Sequence, residues 1–353
     1  MALSLFSDAE DLSEGTYRIF IFNPETDYAL AAGQSIYNIP AKIKELRERM
    51  ACCPAFLANI GDAILLLDSP EKVSSSFSSA AKLINEKRLD IVSLPDIASY
   101  ISEREKKGEY PIFTPWGWNH TLRQNLLKAR VESKFLKSEA EIESIRQLSH
   151  RRISSIFNEH LASILHDIDC PKATEFYSES DTLAFCRENN DVFLKAPWSS
   201  SGRGVVRSTS LDSLHLQQWI AGCIRRQGSV MGEISHNKTG DFATEWWIEK
   251  GKPRFLGLSM FKATPDGKYS GNIELRSKDI REKIKNLTSQ WNDAIIEAQG
   301  LILEKLIAGN YSGPAGIDML TTDEGNLVPC VEINLRFTMG MVTLSKSFRN
   351  GKE

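Results

Sequence analysis

No run of apolar residues approaches the length of a membrane span. The segment Met1 to Glu10 lacks a basic n-region and turns acidic after a few apolar residues, unlike a secretory leader. A cytoplasmic protein without membrane association is therefore expected. The six cysteines, Cys52, Cys53, Cys170, Cys186, Cys223 and Cys330, form no C-x-x-C pair and have no histidines at zinc spacing, so they read as reduced structural thiols. There is no H-E-x-x-H, no G-x-S-x-G elbow and no G-x-x-x-x-G-K-[ST] loop, which removes zincins, α/β-hydrolases and Walker-type nucleotide enzymes. Forty-three Lys and Arg stand against 46 Asp and Glu, interspersed, for a net charge of −3. No basic stripe exists to track nucleic acid.

With 353 residues and 41% hydrophobic content, the chain can build two or three domains with substantial cores. Its first third alternates. Tyr17–Phe22, Ala63–Leu67 and Ile91–Leu94 read as strands, and Ala41–Arg49 and Ser78–Lys87 as helices, which predicts a small parallel sheet. Ligands of such sheets bind beyond the carboxyl ends of the strands. The stretch from Asn23 to Gly33 leaves the first strand there as a polar loop, either a substrate contact or a plain turn. Trp116-Gly117-Trp118 marks a domain passage, with Asn119 as the cap of a helix reaching Val131.

Near the C-terminus, Ala315-Gly316-Ile317-Asp318-Met319-Leu320 and Val331-Glu332-Ile333-Asn334-Leu335-Arg336 flank the turn-rich Thr322 to Asn326. This reads as a β-hairpin, and a turn centred on Gly325 sets Asp318 opposite Glu332. Side chains alternate along a strand, so Glu332, Asn334 and Arg336 share one face, leaving Val331, Ile333 and Leu335 to the core. Facing carboxylates repel unless a cation lies between them, and hard oxygen donors suit Mg²⁺ with bound phosphates. An ordinary charged, solvated hairpin face is the competing interpretation.

Upstream, Asp191 to Pro197 reads as a short buried strand bearing Lys195. The small-residue run from Trp198 to Gly204 then leads into another strand. Backbone N–H groups of such a loop can approach phosphate oxygens, with Lys195 as a fixed charge beside them. A plain flexible hairpin fits the same residues.

In this order, the two segments resemble those of the ATP-grasp family, over roughly residues 130 to 345. The resemblance implies an α/β protein. An N-terminal parallel α/β domain of the pre-ATP-grasp kind (1–128) would precede an ATP-grasp domain of two α+β subdomains (129–353), with nucleotide and metal halves meeting near 230. It implies ATP and Mg²⁺, or Mn²⁺, as cofactors, with Asp318, Glu332 and Asn334 as metal ligands and Glu332 bridging two ions. Arg336 would hold the transferring phosphate or the substrate. Lys195 would contact the nucleotide phosphates under a lid of Ser200, Ser201, Gly202, Arg203 and Gly204. Arg151, preferred to Arg152, stands where a second basic residue is common. Ser229 to Ile234 resembles the adenine hinge, interrupted by Gly232, with Glu233 as an acceptor. Asp241 or Glu245 could reach the ribose, while Trp246 and Trp247 read as packing.

By the same resemblance, the expected activity is ATP-dependent ligation of a small-molecule carboxylate to an amine through an acyl phosphate. A homodimer is in keeping with the family. The alternatives are a small-molecule kinase of the same fold and a nucleotide-binding module without turnover. Tyr269 and Asn272 join the N-terminal loop and Trp116 as candidate specificity positions.

Overall fold

The apolar runs of the first third pair in parallel in the computed structural model, which describes residues 15–199, 204–210, 213–264 and 269–349. Strands β1 (Thr16–Ile21), β2 (Ala63–Leu66), β3 (Asp90–Ser93) and β4 (Tyr110–Pro115) form a parallel sheet in the order β3-β2-β1-β4. β1 and β2 are buried almost throughout, as strands covered on both faces must be. Tyr17, Ile19, Ile21 and Leu65 share a core with Leu122 and Leu126.

Two features depart from the sequence reading. β4 was not anticipated, because Pro111 and Pro115 argue against a strand; it lies at the sheet edge, where missing donors cost little. The stretch after β1 is no open loop. Thr26–Ala32 is a helix, closed at Gly33 by a left-handed turn (φ 60°) whose N–H donates to the Ala29 and Leu30 carbonyls. The helix His120–Lys128 is capped as expected, with the Asn119 side chain accepting from the Leu122 N–H. Trp116 packs edge-on against Phe22 at 4.8 Å and lies 5.9 Å from Phe337.

The chain divides into two compact units, Met1–Ile145 with Arg336–Glu353, and Arg146–Leu335. This division runs later than residue 128, and it counts Arg336 and the final helix, Met339–Arg349, with the first unit.

The second unit holds two antiparallel sheets. β5 (Thr174–Phe176), β6 (Val192–Lys195), β7 (Val205–Arg207) and β8 (Val230–Ile234) run in the order β5-β8-β6-β7. Leu216, Ile220 and Cys223 of the helix Ser213–Gln227 cover Val192, Leu194 and Val230. β9 (Lys238–Glu249), β10 (Lys252–Ala263), β11 (Tyr269–Ile273), β12 (Gly313–Thr322) and β13 (Leu327–Asn334) run in the order β11-β10-β9-β12-β13. The helices Ser277–Leu287 and Ala294–Leu306 pack on this larger sheet. Trp246 and Trp247 are buried in it.

Candidate active site

The hairpin of β12 and β13 turns at Gly325, whose φ of 79° a side chain would oppose. Asp318 stands directly opposite Glu332, and Gly316 opposite Asn334. The Asn334 Nδ2 donates to the Asp318 Oδ2 at 3.1 Å. Between Asp318 and Leu320 the register shifts, so that Leu320 pairs with Val328. Pro329, which has no N–H to give the ladder, lies in this bulge. The carbonyls freed there are taken by side chains: Gln299 Nε2 donates to the Pro329 oxygen at 2.8 Å and Asn158 Nδ2 to the Cys330 oxygen at 2.8 Å.

The bulge corrects one expectation. Ile333 and Leu335 are buried, but Val331 is only half-buried and lines a cleft with Val328 and Cys330. A second correction concerns Arg336. β13 ends at Asn334, so strand alternation does not extend to this residue. Its Nε donates to the Asp27 Oδ2 at 2.8 Å, and its Nη1 to the Phe337 carbonyl. Sequence gave no sign of Asp27 as its partner.

β9 adds to the same face of the sheet. Asp241 pairs with Leu320, Ala243 with Asp318 and Glu245 with Gly316, so the acids of β9, β12 and β13 project to one side. Glu245 is buried and accepts from the Ser259 Oγ at 2.7 Å. Burial raises the Asp241 carboxyl above its usual range, opposed by the Lys238 ammonium 3.0 Å away.

The basic residues come from the other half of the unit. Lys195, at the end of β6, lies diagonally across from Glu233 of β8, and the two form an ion pair. Gly232 between them has a steric reason. A Cβ there would meet Phe185 Cε1 at 2.8 Å and Phe176 Cε2 at 2.9 Å, so two phenyl rings occupy the space a side chain would need.

Arg151 caps the helix Arg152–Ala162 and points inward, 6% exposed. Its Nη1 donates to the Ala196 carbonyl and the Ser199 Oγ, both at 2.6 Å, and its Nη2 to the Glu332 Oε1 at 2.8 Å. Arg152 instead faces outward toward Gln147 and Glu175. Gly204 closes the base of the loop after β6, its carbonyl accepting from the Ala196 N–H at 2.8 Å. Its φ is 79°, and a Cβ would lie 2.8 Å from Ser199 Cβ. Ser200, Ser201, Gly202 and Arg203 lie outside the described residues.

Arg151, Lys195, Glu233 and His236 line a cleft with Ser154, Asn158, Leu320 and Cys330. Charged groups thus meet an apolar floor, the usual make-up of a small-molecule site. Burial, and then Asp318 and Glu332, push the Cys330 thiol well above its usual range, so it stays protonated. Beside the cleft, His150 is buried edge-on against Trp198 at 4.5 Å. Its Nδ1 accepts from the Arg152 N–H at 3.1 Å, and its Nε2 faces the Glu175 Oε1 at 3.3 Å. Burial, reinforced by Arg152, pushes this imidazole down to about 4. Ser154 and Asn158 are site neighbours that sequence spacing did not flag; only the fold brings their helix to the strands of the site.

Among the described residues no group of three or more His, Cys, Asp or Glu is arranged to hold a metal alone. Asp318, Glu332 and Asn334 offer two carboxylates and an amide, all hard oxygen donors. Such a partial set fits Mg²⁺, which keeps several waters and takes its remaining ligands from phosphates. Among the described residues no helix is long and apolar enough to cross a membrane.

No protein-family model and no curated protein matches the sequence. Among solved structures, the chain is similar to a biotin carboxylase–β,γ-ATP complex from Campylobacter jejuni. The two are 12% identical, over 93% of this chain and 67% of that one, with a TM-score of 0.54. It is also similar to the biotin carboxylase domain dimer of 2-oxoglutarate carboxylase from Hydrogenobacter thermophilus, in complex with MgADP, ADP and bicarbonate. There the identity is 12%, over 95% of this chain and 69% of that one, with a TM-score of 0.51. What the three share is the succession of a parallel sheet and antiparallel sheets.

Proposed function

We propose that this chain, whose fold is the ATP-grasp fold, is an ATP-dependent ligase that joins a small-molecule carboxylate to an amine through an acyl phosphate. The observation that carries this reading is the convergence of Asp318, Glu332 and Asn334 on one sheet face, with Arg151 bonded to Glu332 beside a cleft that Lys195 also lines.

In this reading, Lys195 and Arg151 bind the nucleotide phosphates, and the loop from Ser200 to Gly204 covers them. Glu233 and the backbone of β8 receive the adenine, and Asp241 lies within the ribose end of the site. Asp318, Glu332 and Asn334 hold Mg²⁺, which neutralises charge on the phosphate oxygens when bound. Arg336 is the candidate for the transferring phosphate or the substrate carboxylate. Phosphoryl transfer needs little covalent help from protein groups; fixed positive charge around the phosphate oxygens supplies most of the stabilisation. The first unit, a parallel α/β sheet, would serve as the domain that precedes the nucleotide-binding part, and the cytoplasm is the expected compartment.

The test is turnover of Mg²⁺-ATP by the full chain with pooled carboxylates and amines, with hydroxylamine in parallel and products read by phosphorus NMR and mass spectrometry. ADP and phosphate appearing only with a carboxylate, together with a hydroxamate, are expected. A stable phosphorylated product would replace this reading with kinase chemistry, and nucleotide binding without turnover across the pools would replace it with a binding module.

A further inference from the structure

We propose that Arg151 is a hand-over residue: it occupies the carboxylate of Glu332 while the nucleotide site is empty and releases it to metal when phosphates take the guanidinium. This rests on the assignment of Glu332 to metal made above.

A guanidinium cannot lose its proton, so a buried one must be met by anions or carbonyl dipoles. Arg151 is met by the Ala196 carbonyl, the Ser199 hydroxyl and the Glu332 Oε1. Glu332 is the carboxylate partner of that set. The Arg151 Nε is buried with no hydrogen-bond partner among the described residues, so the side chain has donor capacity left for another acceptor. Both Arg151 and Lys195 line the cleft, where a triphosphate would bring several anionic oxygens within reach.

A dication on the same carboxylate meets the guanidinium at close range, and like charges repel most where water is excluded. Metal affinity is therefore held down as long as Arg151 has no other anion. Because Ala196 and Ser199 anchor the Nη1, the charge need not leave the site; it only needs a substitute for Glu332. The arrangement thus links the loop after β6 to the metal face through one side chain. Nucleotide and metal then assist each other beyond the direct metal–phosphate bonds, and by linkage the assistance is reciprocal.

The test reads metal binding without catalysis. Mn²⁺ is titrated into the nucleotide-free full chain and free Mn²⁺ is followed by electron paramagnetic resonance, for the parent, Arg151→Gln, Arg151→Lys and Arg151→Gln/Glu332→Gln. At least a tenfold tighter Mn²⁺ affinity is expected for Arg151→Gln, a smaller gain for Arg151→Lys, and loss of the gain in the double variant. The lysine variant keeps a cation and carries the test if the glutamine variant does not fold. Unchanged affinity in folded Arg151 variants overturns the hand-over. The same titration with ADP present separates the two claims: Mn²⁺ binding that is insensitive to Glu332→Gln there would overturn the metal assignment itself.

Discussion

The guanidinium of Arg151 and the carboxylate of Glu332 are 181 residues apart in the chain and 2.8 Å apart in space. A helix N-terminus and the last strand of the larger sheet are tied through them. Ser154, one turn along the same helix, repeats the tie by accepting from the Ile333 N–H at 3.2 Å. Changes in the site are thus expected to be felt in both halves of the second unit.

If the proposed ligase reading holds, Glu332→Gln is expected to lower turnover at least roughly a hundredfold, since removing one preorganised electrostatic contact costs on the order of 3 kcal/mol in the barrier. Circular dichroism should remain that of the parent. Steady-state ADP release is the measurement, and near-parental turnover would sink the metal role.

Gly232→Ala should destabilise the chain by about 1–3 kcal/mol through overpacking against Phe176 and Phe185. Urea unfolding of the variant reads this directly. Replacing Phe185 by leucine in the same chain should recover part of the loss.

From sequence, Gly232 in the segment Ser229 to Ile234 reads as a departure from the ATP-grasp pattern; the structure gives it a steric reason, ring packing by Phe176 and Phe185 that no local spacing reveals. The face shared by Asp318 and Glu332 was legible from a period of two, but their exact pairing was not fixed by the turn: beside it Thr321 pairs with Leu327, a register that alone would set Asp318 opposite Cys330, and the two-position shift past Leu320 brings Glu332 there instead. Arg336 was not legible, since the sequence carries the same alternation past the point where the strand stops. Choosing between Arg151 and Arg152 required the rotation of a helix about its axis, which follows from what packs behind it. The helix from Thr26 was read as loop because Asn23, Pro24 and Glu25 precede it and Asp27 falls in its first turn. Its placement comes from tertiary bonds such as Asn119 Nδ2 to Thr26 Oγ1 at 3.3 Å.

Stability should fall as the solution is acidified from about pH 6.5 toward pH 4. The unfolded chain protonates the His150 imidazole near 6.5, whereas the folded protein holds it neutral down to about 4, so the unfolded state binds the extra proton in that window. The limiting slope is about 1.4 kcal/mol per pH unit. Comparing urea midpoints of the parent and His150→Asn at several pH values should give a flatter profile for the variant; parallel profiles would refute the assignment.

Gln299→Leu should cost roughly 2 kcal/mol, because the Pro329 carbonyl and the Thr244 hydroxyl, both bonded to this fully buried amide, lose their partner together. Chemical denaturation measures it. A change within experimental error would mean that water replaces the amide.

The shift at Pro329 moves the partner of β12 by an even number of positions, from Glu332 opposite Asp318 to Val328 opposite Leu320. Val328, Glu332 and Asn334 therefore stay on one side of β13 despite the break. Had a single residue been gained or lost there with the pairing otherwise regular, Glu332 and Asn334 would have swapped sides with Ile333, turning carboxylate toward the core and an aliphatic group toward the site. A change of one residue between Val328 and Glu332 thus reverses the site unless the bulge itself takes it up, two residues against one, so the length of this short segment carries a constraint that its composition does not show.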